Sequence, residues 1–208
     1  MVSICALVAA LLVAGSVTAS RAGTHADAFV EHQTATQTFE ADLKQTFHWT
    51  FPPRHVESLG HISYQAPSFL AIVFTNPAPE LVLVRGDELY IKRDRKRLVK
   101  YKLAVHDGKP TQNVQFLLSF FQNGCTNFAG LFDISTTTTN DARIATLRPK
   151  HPTQLFPLRS VDNVIDWPAM DVRSMRIGLI LGGYILYEFH NPRRNQPLDG
   201  AVFEVPKQ

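Results

Sequence analysis

The chain has 208 residues, 45% of them hydrophobic, with 21 basic and 18 acidic side chains and a formal net charge of +3. That length suits one domain behind a targeting segment, and so mild a charge gives no ground for nucleic-acid binding. Of the two cysteines, Cys5 lies in an N-terminal apolar run, which leaves Cys125 alone and excludes an intrachain disulfide in a processed chain.

Residues 4–14 form that apolar run, followed by small residues and Val17-Thr18-Ala19, a site suited to signal peptidase. The run is too short for a comfortable membrane span, and no small-residue lipobox precedes Cys5. The expectation is a signal peptide over 1–19, its positive end only the terminal amine, and a soluble exported domain over 20–208. Residues 28–37 could form a short helix, although their apolar periodicity is poor.

From Phe39 onward the pattern changes. Leu43, Phe47, Trp49 and Phe51 fall at alternate positions, interrupted by Gln45, while Lys44, Thr46, His48 and Thr50 take the other face. Period-two alternation marks a strand with one buried and one wet face. Three large aromatics on one face exceed what a single strand usually carries, so that face should meet a core, a partner or an apolar ligand. Pro52-Pro53 breaks the run, and residues 61–66 alternate again with Ile62 and Tyr64 on one face. Pro67 punctuates. Residues 69–74, including Phe69, Ala71 and Val73, then read as a strand apolar on both faces.

Asn76-Pro77 signals a turn. Residues 81–84 with Leu83, the tight turn Arg85-Gly86-Asp87, and residues 88–91 with Leu89 read as a hairpin. Lys92, Arg93, Arg95, Lys96 and Arg97 make a basic turn, most simply a solvated hairpin tip and otherwise a landing patch for anionic lipid or an acidic partner. One helix is expected after the N-cap candidate Asn113, with Val114, Phe116, Leu117, Leu118, Phe120 and Phe121 spread over a wide apolar arc and Gly124 as C-cap. Strands resume at 131–137 and 143–148, residues 150–171 have no clear reading, and 175–181 with 184–190 flank Gly182-Gly183 as a hairpin. Residues 203–205 could add a last short strand. About ten strands with a few helices make a mainly β, α+β fold: a curled antiparallel sheet or open barrel with helices on one face.

The order of these motifs resembles the periplasmic outer-membrane lipoprotein carrier family, the LolA-like proteins. The resemblance rests on Phe39-Glu40-Ala41-Asp42-Leu43-Lys44-Gln45, on Gly60-His61-Ile62-Ser63-Tyr64-Gln65-Ala66-Pro67, on Arg85-Gly86-Asp87-Glu88-Leu89-Tyr90, on Leu147-Arg148-Pro149 and on Phe203-Glu204-Val205-Pro206. It implies an incomplete antiparallel barrel closed by a helical lid around a cavity for acyl chains. The partners implied are an acylated lipoprotein or lipid as cargo, an inner-membrane ABC exporter and an outer-membrane acceptor lipoprotein, with the protein a periplasmic monomer. The chain departs from the family before Pro67, where typical carriers place an arginine that helps hold the lid and this chain has Ala66.

The eight histidines show no paired metal spacing. No Gly-x-Ser-x-Gly, His-Glu-x-x-His or phosphate-cradling loop is present, so no cofactor, metal or catalytic group is expected. Two function classes therefore lead: a carrier of acylated protein or lipid, and a non-shuttling lipid- or glycolipid-binding sensor of the same architecture. An enzyme on a curled sheet is the weakest reading.

Overall fold

The alternating apolar pattern becomes a single sheet. A computed structural model describes residues 35–103, 118, 121, 132–139, 142–151, 158–166 and 169–206. Its strands are β1 (Thr38–Trp49), β2 (Arg54–Gln65), β3 (Phe69–Asn76), β4 (Glu80–Arg85), β5 (Glu88–Arg93), β6 (Val99–Lys102), β7 (Phe132–Thr138), β8 (Ala142–Pro149), β9 (Leu158–Asp166), β10 (Val172–Leu179) and β11 (Tyr184–Arg194). All neighbours are antiparallel in one 11-stranded sheet of order β6-β5-β4-β3-β2-β1-β11-β10-β9-β8-β7. Two meanders, β1–β6 and β7–β11, are thus joined where β1 pairs with β11. The sheet curls but stays open, since β6 and β7 are edges. A helical lid is not shown. The expected signal peptide and residues 28–34 of the expected N-terminal helix lie outside the described residues, and residues 35–37 are not helical; Cys125 and, of the expected lid helix, Val114, Phe116, Leu117 and Phe120 also lie outside them. Leu118 and Phe121 are described: both are helical and buried in the core.

Register makes the inner face continuous. Phe39, Ala41 and Leu43 of β1 stand opposite Tyr64, Ile62 and Gly60 of β2. Ile62 and Tyr64 stand opposite Ile72 and Leu70 of β3. On the other side, Leu43 and Phe47 face Phe189 and Ile185 of β11, and Ile185 faces Ile177 of β10. These residues belong to one buried cluster reaching from Leu89 and Ile91 of β5 to Phe132 of β7. Burial on that scale, at roughly 25 cal/mol per Å² of apolar surface, is what stabilises so many non-local pairings.

A second, smaller cluster lies on the outer face of β3–β5. Ala71 and Leu83 are buried there with Phe203, and Phe69, Leu81, Tyr90, Leu198 and Val205 pack around them. Residues 203–205 are therefore not a strand. Gly200–Phe203 is a short 3₁₀ turn N-capped by Asp199, whose side chain accepts from the Ala201 amide, and it sets Phe203 against Phe69 at 5.7 Å. This cover explains why β3 is apolar on both faces.

Antiparallel order also sorts the turns. Those at 50–53 (β1–β2), 77–79 (β3–β4), 94–98 (β5–β6) and 180–183 (β10–β11) share one rim of the sheet; those at 66–68 and 86–87 share the other.

Candidate functional site

The inner face changes character along its length. At the end away from the 50–53 turn it is covered: Phe121 stacks on Tyr64 at 5.2 Å and tilts against Phe39 at 4.9 Å, and Phe39 meets Phe189 edge-on at 6.1 Å. Burial without a charge partner pushes the Tyr64 hydroxyl up to about 12. Beside this aromatic group the Arg194 guanidinium lies 5.0 Å from the Phe39 ring and donates to Asp171 at 2.6 Å and to the Thr36 hydroxyl at 2.7 Å. A half-buried guanidinium held by two acceptors and an aromatic ring is a fixed post.

Toward the 50–53 rim the described part of the same face is less deeply buried. Phe47 and Trp49 stack in near-parallel planes, 7° apart at 5.9 Å, and both are only partly buried against the core. The Trp49 indole N–H donates to the Phe51 carbonyl, which fixes the ring's orientation. Among the described residues, the amide of fully buried Asn163 has no hydrogen-bond partner at either its nitrogen or its oxygen. It stands on the inner face between Ala145 of β8 and Met175 of β10. An orphaned amide buried among apolar neighbours carries a desolvation cost of about 1–3 kcal/mol.

The structure gathers part of the expected lining and redistributes the rest. Leu43, Ile62, Tyr64 and Leu89 are buried on the inner face, and Phe47 and Trp49 pack partly buried against it. Phe51 is not on that face. β1 ends at Trp49, and Phe51 is 83% exposed in the following turn, because the alternation stops where Thr50-Phe51-Pro52-Pro53 reverses the chain. Phe69, Ala71 and Leu83 point to the outer cluster and Val73 to solvent, since β3 is apolar on both sides and the even-numbered Leu70, Ile72 and Phe74 take the inner one. In the basic stretch, Arg93 pairs with Glu80 at 3.0 Å, Lys92 is half-buried, and Arg95, Lys96 and Arg97 are exposed in the 94–98 turn.

Sequence reasoning missed β9, where Val161 and Ile165 face inward around Asn163; a polar residue at a buried position hid the alternation. It also left the inward residues of β10 and β11, Met175, Ile177, Ile185, Tyr187 and Phe189, out of the site, although their alternation was legible. Among the described residues no group of three His, Cys, Asp or Glu could hold a metal ion, and no helix is long and apolar enough to cross a membrane.

No family model and no curated protein matches the chain. Solved structures do. MucB is similar with a TM-score of 0.56 at 10% identity, over 88% of this chain and 64% of that one. An uncharacterized conserved protein from Thermus thermophilus is similar with a TM-score of 0.54 at 8% identity, over 88% of this chain and 93% of that one. LolA superfamily protein NE2245 from Nitrosomonas europaea is similar with a TM-score of 0.44 at 9% identity, over 86% of this chain and 97% of that one. At such identities the likeness is one of fold.

Proposed function

We propose that this protein is a periplasmic carrier that shields the acyl chains of a lipoprotein or related lipid on the inner face of its curled sheet and moves them through water between the two membranes. The observation that carries the reading is the inner face itself: apolar across both meanders, covered by Phe121 at one end and only partly buried at Phe47 and Trp49 at the other. A saturated chain laid along it would bury about 0.8 kcal/mol per methylene, roughly ten kcal/mol for a typical acyl group. The Lol-type motif order points the same way. No exporter or acceptor is identified by the geometry, and the lid arginine of typical carriers is replaced by Ala66, which packs half-buried against the core and donates its amide to the Gln37 carbonyl at 2.8 Å.

Native mass spectrometry of protein purified from its exported compartment tests the proposal. A co-purified acylated species, lost in Trp49→Glu with the cooperative unfolding transition retained, supports it. An empty wild-type protein that also fails to bind fatty acid refutes it. Transfer of the cargo to acceptor vesicles separates a carrier from a stationary lipid sensor.

A further inference from the structure

We infer that the rim carrying the 50–53 and 180–183 turns docks on an anionic phospholipid surface, with apolar turn residues entering the bilayer boundary and an arginine groove on the outer face taking lipid phosphates. The two turns touch. A Cβ on Gly182 would stand 2.9 Å from the Thr50 hydroxyl oxygen, and one on Gly183 would stand 3.0 Å from the Trp49 Cα. Their φ values of 88° and 97° place both glycines where side chains are disfavoured, so this close apposition is built into the backbone. On the joined turns, Phe51 is 83% exposed, Leu181 60% and Ile180 40%. Three large apolar side chains presented together at one tip form the kind of patch that marks a contact surface.

Directly beside the tip, on the outer face, lies a groove of about 630 Å³ whose wall includes Thr50, Gly182 and Gly183 together with His48, Tyr184, Arg148, Arg159 and Arg176. The Arg176 guanidinium lies 4.4 Å from the Tyr184 ring, and that ring stacks on His48 at 5.2 Å. Among the described residues the groove's one carboxylate, Asp162, accepts a hydrogen bond from the Thr146 hydroxyl at 2.8 Å. Among the described residues no ion pair engages Arg148, Arg159 or Arg176, whereas Arg93, Arg173, Arg193 and Arg194 each hold a carboxylate. Three guanidiniums that line one groove with a single carboxylate among them, and no ion pair to it, leave a net positive charge suited to the oxygens of a phosphate, which they can meet in bidentate fashion. The exposed Arg95, Lys96 and Arg97 turn sits on the same rim. Apolar side chains at the tip and cations just behind them match the order of layers in an anionic membrane, acyl boundary first and phosphate next. The partly buried half of the inner face, with Phe47 and Trp49, ends at this rim, but the inference does not depend on what that face holds.

Co-sedimentation with phosphatidylglycerol/phosphatidylcholine vesicles tests it, with pure phosphatidylcholine vesicles and soluble glycerol 3-phosphate as further arms. The wild-type chain should bind the anionic vesicles in a salt-sensitive manner and the neutral ones weakly. Replacing Arg148, Arg159 and Arg176 by Gln should weaken that binding about fivefold per arginine. The pair Phe51→Ser and Leu181→Ser should weaken it at least several-fold without changing the response to glycerol 3-phosphate. All these side chains are exposed, so melting temperatures and inner-face fatty-acid binding should hold in both sets, which keeps this test apart from that of the carrier reading. Wild type that ignores anionic vesicles overturns the inference. So does a groove that binds glycerol 3-phosphate while the Phe51/Leu181 variant sediments like wild type, because that outcome describes a soluble-ligand site.

Discussion

Phe121 and Phe51 are the same side chain in opposite surroundings, 2% and 83% exposed respectively, and truncating each to alanine measures what the inner face contributes. The Phe121 ring rests on Tyr64 and Phe39 at 5.2 and 4.9 Å, so Phe121→Ala removes a filled contact and leaves a cavity, at a cost of about 3–5 kcal/mol. For a chain of this size each kcal/mol moves the melting temperature by about 2–4 °C, which gives a fall of roughly 6–20 °C. Phe51→Ala should leave it unmoved. The vacated space exposes the faces of Tyr64 and Phe39, so a fatty acid below its micelle concentration should bind Phe121→Ala more tightly than wild type. It should also restore stability, by about 2.7 kcal/mol at a hundred times its dissociation constant. Thermal denaturation followed by circular dichroism, with and without ligand, reads both effects. A Phe121→Ala protein that melts like wild type, or one that is destabilised yet gains nothing from the ligand, would refute the reasoning.

Three further outcomes follow from local geometry. Gly60 sits where the β2–β3 register shifts, and a Cβ there would collide with the Val73 carbonyl and stand 2.8 Å from the Phe74 Cα; Gly60→Ala should cost about 1–3 kcal/mol in urea denaturation. Tyr64 ionises near 10 when unfolded but at about 12 when folded, so its contribution is fully present below pH 10 and is lost as pH rises toward 12, at about 1.4 kcal/mol per pH unit. Denaturation of wild type and Tyr64→Phe between pH 9 and 12 (roughly the window set by these two values) should therefore differ in slope, and parallel curves would contradict the burial of that hydroxyl. Ala66→Arg introduces donors worth about 1.5–3 kcal/mol per charge-assisted bond at the position of the carrier family's arginine. It should slow spontaneous lipid uptake in stopped-flow fluorescence; unchanged uptake by a normally folded variant would mean that no comparable gate operates there.

How much of this was legible in the sequence depended on one-sided burial. Where one face is wet, alternation reported the strand: in β1 it gave the orientation as well, while in β10 and β11 it gave the hairpin alone. β3 is covered on both sides, by the inner cluster and by Phe203 from the chain's other end, so its run of apolar residues fixed a strand but not which side faced inward. That is why Phe69 and Ala71, and Leu83 of the equally two-sided β4, lie in the outer cluster and not on the expected inner face. β9 was hidden by Asn163, a polar residue in an inward position. The rim is a product of topology: Thr50 and Gly182 are distant in sequence, and only the pairing of β1 with β11 brings their turns together.

The central claim, that the inner face holds an acyl chain beside Trp49, is tested most directly by fluorescence quenching with a brominated fatty acid. The chain has two tryptophans, so a Trp167→Phe background leaves Trp49 as the sole reporter. Because the indole stacks on Phe47 at 5.9 Å on the partly buried half of that face, a bromine-bearing chain should quench it saturably below the micelle concentration, and unbrominated acid should compete. Emission that stays unquenched, or quenching that neither saturates nor yields to competition, would contradict the account.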